Sequence, residues 1–113
     1  MKRIEAIFPA ERLYNVSDEL KKVGVGGLTV YDSKGRGQMP IQQRVAGRGG
    51  LFTPMFNTNC CVVVVVSDSN VEKVVQAILN SAGSGMAGEG KIFITNVDRA
   101  VDIGSKKSGD EVL

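Results

Sequence analysis

Gly83-Ser84-Gly85-Met86-Ala87-Gly88-Glu89-Gly90-Lys91 is the stretch of this chain best equipped for chemistry. Glycines let backbone N–H groups close in on an anion, and a lysine beside them adds a point charge suited to phosphate. It is not the nucleotide loop that opens a helix, which requires Ser or Thr after the lysine. Ile92 stands there, and an alternating stretch follows. Two readings stay open, a phosphate or nucleotide site and a flexible connection. A second glycine cluster, Lys34-Gly35-Arg36-Gly37-Gln38, reads either as the base of a mobile loop or as the other jaw of a ligand cleft.

Other chemistries find little material. The chain has no histidine, which removes the usual general base near neutral pH and the commonest transition-metal ligand. Cys60 and Cys61 are adjacent and are the only cysteines, a pattern that suits neither a zinc site nor a disulfide framework. On a strand they point to opposite faces, and two reduced thiols, at least one of them buried, are expected. Asp98, Asp102, Asp110 and Glu111 read as solvated charges. Without a carboxylate pair, a nucleophile–base pair or a metal cluster, a protein that is not an enzyme is expected.

The totals bound the rest. A chain of 113 residues is one domain, residues 1–113, on length alone. A net charge of +2 is too slight to call for a polyanion, so nucleic acid is not an expected partner. Met1-Lys2-Arg3 leads into an alternating stretch and not into the apolar core of a signal peptide. The apolar run Cys60 to Val66 is far short of the ~20 residues a membrane span needs. A soluble, cytoplasmic protein is expected.

The elements that must position the glycine clusters can be read from periodicity. Arg3 to Phe8 alternates as a strand, closed by Pro9. Ala10 to Val23 sets Leu13, Val16, Leu20 and Val23 on one side at helical spacing, and Gly24 supplies the stop. Leu28 to Ser33 is the second strand. From Lys34 to about Asn59, glycines and prolines break any periodicity, and a connection that long is usually functional or disordered. It is predicted to be a mobile, basic loop carrying Arg36, Arg44 and Arg48, with a strand-like piece near Leu51 to Phe56.

Cys60 to Val66 is the third strand, apolar at every position up to the last, so both of its faces should be covered. Ser69 and Glu72 form a capping box for a helix whose inner stripe is Val71, Val74, Val75, Ile78, Leu79 and Ala82. Lys91 to Thr95 is the fourth strand, and the tail from Val97 to Leu113 holds a turn at Gly104–Lys107 with a short hairpin or coil. Two strand–helix–strand halves predict an α+β class, a ferredoxin-like βαββαβ sandwich. Right-handed crossovers place both helices on one face. Other copies around a symmetry axis would cover the second face, and a homotrimer is expected.

These residues carry a likeness. The chain resembles the PII signal-transduction family, which regulates nitrogen metabolism, over essentially its whole length. The matching pieces are Met1-Lys2-Arg3-Ile4-Glu5-Ala6-Ile7, Gly27-Leu28-Thr29-Val30, Lys34-Gly35-Arg36-Gly37, the polar loop, the valine strand, and Gly88-Glu89-Gly90-Lys91-Ile92-Phe93. The last is the most specific. The resemblance implies trimers with a long T-loop (about 37–58), a glycine-rich B-loop (about 83–91) and a C-terminal segment (about 98–113). It implies ATP or ADP in clefts between subunits, with Ile7, Thr29, Gly35, Arg36, Gly37, Gln38, Val65, Gly88, Glu89, Gly90 and Lys91 at the nucleotide and Lys91 neutralising phosphate charge. It also implies 2-oxoglutarate sensing with Mg²⁺, and a partner such as an ammonium transporter or nitrogen-metabolism enzyme engaged by Arg44, Arg48, Leu51 and Phe52. Such a protein is cytoplasmic and becomes peripheral to the membrane through a transporter.

The chain departs from the family pattern at several positions. Gly37 is followed by Gln38 and Met39 where the family reads Gly-Arg-Gln. Asn59 replaces a lysine, Val63 a glutamate, and Asp102 and Gly104 lie where two arginines are usual, with Lys106 and Lys107 close by. These departures bear on Mg²⁺ and 2-oxoglutarate. No tyrosine lies between residues 32 and 113, so the loop tyrosine that some members uridylylate is absent. The rival readings are weaker. An RNA-recognition module needs aromatics on its central strands, and Cys60 to Ser67 has none. An acylphosphatase needs an anion cradle after the first strand, which Phe8-Pro9-Ala10-Glu11-Arg12 does not resemble. The remaining alternative is a PII-like trimer with a changed or lost effector, acting as a partner-binding scaffold.

Overall fold

The structure, a computed structural model, describes residues 1–38, 40–41 and 43–113; the departure at Met39 lies outside the described residues. In chain order the elements are β1 Lys2–Pro9, α1 Leu13–Lys22, β2 Thr29–Gly35, β3 Arg44–Val45, β4 Leu51–Phe52, β5 Asn57–Val66, α2 Val71–Ala82 and β6 Lys91–Asn96. The main sheet runs β2-β5-β1-β6, and every neighbouring pair is antiparallel. Each helix therefore links two strands that have another between them. This is the split βαβ arrangement of a ferredoxin-like α+β sandwich.

Alternation along β1 and β5 builds the core. Ile4, Ala6 and Phe8 from β1 meet Cys60, Val62, Val64 and Val66 from β5, and Val16, Leu20, Val74, Ala77 and Ile78 close over them from the helices. Leu13 and Val23 pack at the margin of this core, as the helical spacing predicts. Gly24 ends α1 with φ +89°. Its N–H donates to the Lys21 carbonyl at 3.1 Å and the Val25 N–H to the Leu20 carbonyl at 3.0 Å, the paired bonds of a glycine C-terminal motif that satisfies orphan carbonyls.

Three expectations are corrected. Leu79 is 52% exposed, while Ala77 and Ser81 are buried, so the inner stripe of α2 is rotated toward 74, 77, 78 and 81. The Ser81 hydroxyl is accommodated there because it donates to the Ala77 carbonyl at 2.6 Å. The Ser69–Glu72 capping box does not form. A 3₁₀ turn over Asp68–Asn70 precedes the helix, with no side-chain cap, and the Asn70 N–H is taken by the Ser67 carbonyl at 3.0 Å. The long connection is not bare. β2 runs on to Gly35, β5 begins at Asn57, and β3 pairs with β4 in a hairpin of its own.

The tail forms a short hairpin, one of the two forms that the sequence left open. Val101 bridges Ser108, and the Asp102 N–H donates to the Lys107 carbonyl at 2.9 Å. The face of the sheet away from the helices carries Tyr31, Cys61 and Ile7 in one row and Thr29, Val63, Glu5 and Phe93 in the next. It is less uniformly apolar than the valine run suggests, because Arg3 and Glu5 form a 2.6 Å ion pair on it. Both cysteines are free and buried, and burial pushes the Cys60 thiol up. Among the described residues no helix is long and apolar enough to cross a membrane.

Candidate functional site

Where β2 ends and β6 begins, a cavity of about 410 Å³ opens beside the sheet. Register explains why it forms there. Gly35 closes β2 opposite Asn57, Lys91 opens β6 opposite Ile7, and β1 and β5 lie between them. The two glycine clusters, far apart in sequence, are thus delivered to one end of the sheet. The cavity is lined by Ile7, Gly35, Arg36, Gly37, Gln38, Gly88, Glu89, Gly90 and Lys91, each a residue that the sequence proposes for a ligand.

Close backbone approach makes this wall. A side chain at Gly90 would place its Cβ 2.2 Å from the Ile7 carbonyl oxygen, so only glycine lets the loop lie flat on β1. Gly85 and Gly88 hold φ of +96° and +88°, a region that other residues enter at a cost. The Glu89 carboxylate turns back to the start of the same loop. It accepts the Ser84 N–H at 2.7 Å and the Ser84 hydroxyl. The Ser84 hydroxyl and N–H, with lesser help from the Met86 and Gly85 N–H groups, hold this carboxyl below the usual glutamate range.

Three cations line the cavity, Lys91, Arg36 and Arg44, against two carboxylates, Glu11 and Glu89. The lining's slight excess of positive charge favours an anion, and the Glu89 carboxylate is turned to Ser84. A volume of about 410 Å³ falls in the range of small-molecule sites, roughly 300–1,000 Å³. Asn59 also lines the cavity, and its amide nitrogen leaves only 2.7 Å to a Cβ built on Gly35. A neutral amide therefore stands at this point of the wall.

Two proposed residues lie elsewhere. Thr29 and Val65 are on β2 and β5, paired with Val63 and Arg3 on the open sheet face. Arg48, Leu51 and Phe52 belong to the β3–β4 hairpin and are exposed. Arg44, expected in the partner-binding loop, is also part of the cavity wall. Its guanidinium donates to the Thr58 hydroxyl at 2.5 Å. Sequence reading missed Pro9, Glu11, Pro40, Asn57, Thr58 and Phe93 as lining residues. Pro9 was within reach of a register argument, since β1 must end beside the turn that leads into β6. Asp102 and Gly104 sit in the C-terminal hairpin. The Asp102 carboxylate accepts the Ser105 N–H at 2.7 Å, and that bond holds its carboxyl below the usual range.

Comparison with known proteins bears on this arrangement. The profile of the family described as "Nitrogen regulatory protein P-II" matches residues 1–107. The chain is 38% identical to the "Nitrogen regulatory protein P-II" of Rhizobium meliloti over 113 residues, all of both chains. It is 38% identical to the "Nitrogen regulatory protein P-II 2" of Methanothermobacter thermautotrophicus over 114 aligned residues, all of this chain and 97% of that one. It is 31% identical over its full length to the "Nitrogen regulatory protein P-II" of Pasteurella multocida.

Proposed function

The chain belongs to the nitrogen regulatory protein P-II family, and on that premise we propose that it binds an adenine nucleotide, ATP or ADP, in the cavity beside Lys91. The bound nucleotide then sets the conformation of the loop between β2 and β5, which controls a nitrogen-metabolism target such as an ammonium transporter. The observation that carries this reading is the meeting of Gly35–Gln38, the root of the loop, with Gly88–Lys91 in one cavity wall. A ligand touching both can bias the loop only by as much as it prefers one loop state over another.

In this reading the site is completed by a neighbouring subunit. Thr29 and Val65 lie on the open sheet face, which supports a homotrimer in which that face meets the next subunit's cavity. Lys91 and Arg36 would hold the phosphates, and Gln38, also in the wall, would be available to a Mg²⁺-bound phosphate. The protein would work in the cytoplasm and reach the membrane through its transporter partner.

A second reading rests on Asn59. With no ammonium at that point of the wall, a dicarboxylate such as 2-oxoglutarate loses a charge-assisted contact of roughly 1.5–3 kcal/mol. A P-II scaffold with a different effector, or none, follows. Calorimetry with ATP, ADP and AMP, each with and without Mg²⁺ and 2-oxoglutarate, separates the readings. Nucleotide binding that Lys91→Ala weakens by about tenfold or more supports the first. No heat from any adenine nucleotide would refute it.

A further inference from the structure

Arg44 is held in two places at once. Its backbone is one of the two residues of β3, directly opposite Phe52 of β4. Its guanidinium reaches back to the Thr58 hydroxyl, 2.5 Å away at the foot of β5. Both Arg44 and Thr58 line the cavity that also holds Lys91 and Arg36. Arg44 thus ties the hairpin to the cavity wall through a bond between a cation and a neutral acceptor.

A guanidinium presents five N–H donors in a planar fork matched to phosphate. One hydroxyl uses a small part of that capacity. A phosphate group offers two oxygens to the fork at once, with charge on both sides of each bond, which a single neutral hydroxyl does not match. A phosphate that engages the fork through two oxygens sets the plane of the guanidinium, and the bond to Thr58 is kept only where that plane still points at it. The hairpin gives way because β3 and β4 pair over only Arg44–Phe52 and Val45–Leu51, too short a ladder to hold its own position.

We propose that Arg44 is a phosphate-binding residue of the cavity and the link through which bound nucleotide moves the β3–β4 hairpin, by transfer of its guanidinium from Thr58 to phosphate. This rests on the nucleotide reading above and names the regulation of that same site. The transfer shifts Arg44 and with it the facing pair Val45 and Leu51, which are 72% and 67% exposed. With Phe52, that pair makes the apolar surface of the hairpin that a partner would read. The occupied and empty cavities then present it differently.

The test uses the full chain with ATP and, as the ligand without phosphate, adenosine. Amide hydrogen exchange is followed across 44–52 by mass spectrometry, and affinity by calorimetry. ATP should change exchange across 44–52 in the wild type, and adenosine should not. Arg44→Ala should weaken ATP by roughly tenfold or more, leave adenosine affinity unchanged, and abolish the exchange response at saturating ATP. Thr58→Val removes the competing acceptor, so ATP should bind more tightly by about twofold to tenfold, and the hairpin of the empty protein should exchange as the ATP-bound wild type does. A purely structural role for the Arg44–Thr58 bond predicts no gain in affinity. An unchanged or weakened ATP affinity in Thr58→Val, or a normal exchange response in Arg44→Ala, overturns the proposal while nucleotide binding stands. Absence of any nucleotide binding to wild type overturns both.

Discussion

A methyl group on Gly90 would stand 2.2 Å from the carbonyl oxygen of Ile7. The glycine-rich loop is thereby pressed against the backbone of β1, and this contact sets where the cations beside it can reach. Gly90→Ala must push the loop off the strand, because the obstructing atoms are main chain. Loss of about 1–3 kcal/mol of unfolding free energy is expected, in the range of overpacking a close contact. Gly47→Ala is the control, since a Cβ there meets nothing within 4 Å. Denaturant titration of both variants checks the difference, and equal stabilities would disprove the contact.

The Ser84–Glu89 pair makes the loop sensitive to acid. The carboxyl of Glu89 is depressed in the folded protein, first by the Ser84 hydroxyl and then by its N–H. The unfolded chain therefore takes up a proton at higher pH than the folded one. The stability this pair contributes is fully present above the usual glutamate range and is lost as pH falls through the depressed folded value. Glu89→Gln should lower the thermal midpoint at neutral pH, and the gap between variant and wild type should close on acidification. A gap that is constant with pH would contradict this assignment.

The core makes a sharper energetic claim. Leu20 is fully buried at 0% exposure, and Ile103 is 95% exposed. Leu20→Ala should cost about 2–5 kcal/mol, whereas Ile103→Ala should stay within about 0.5 kcal/mol of wild type. Gly24→Ala falls between them. Its φ of +89° costs a residue with a Cβ roughly 1–2 kcal/mol. Urea unfolding of the three variants gives the order directly.

The open sheet face supplies a test of assembly. Phe93 lies across from Glu5 and is an exposed apolar side chain of this face, so Phe93→Glu sets a second carboxylate beside the first. If copies of the chain meet through this face, sedimentation should show a trimer of the 12.0 kDa chain for wild type. The variant should dissociate to monomers with its helical content retained. A wild type that sediments as a monomer at micromolar concentration would remove the trimer.

Partner capture tests the loop. Replacing Leu51 and Phe52 with Ser removes two exposed apolar side chains, 67% and 47% accessible, without touching the core. Nucleotide affinity should stay within about twofold, since surface changes shift energies by roughly 0.5 kcal/mol or less. Binding to a target protein should fall by at least about tenfold if they anchor it. Retained capture would move the partner surface elsewhere.

Local chemistry in the chain determined the four long strands, the two helices and the two glycine clusters. Period-two alternation in Arg3–Phe8, helical spacing in Leu13–Val23 and the stop at Gly24 each follow from neighbours a few residues away, and the structure keeps them. The likeness of Gly88-Glu89-Gly90-Lys91-Ile92-Phe93 to a family pattern added the expectation of a ligand there. Tertiary structure decided what short-range pattern does not encode. The turn at Asp68–Asn70 displaced the Ser69–Glu72 cap, and the pitch of α2 against the sheet turned Leu79 outward and Ser81 inward. The β2-β5-β1-β6 order alone brought Gly35 and Lys91 to one end of the sheet, and the β3–β4 pairing sent Arg44 into the cavity wall. Strand pairing and helix rotation are settled by which surfaces exclude the most water together, and that sum runs over residues distant in the chain.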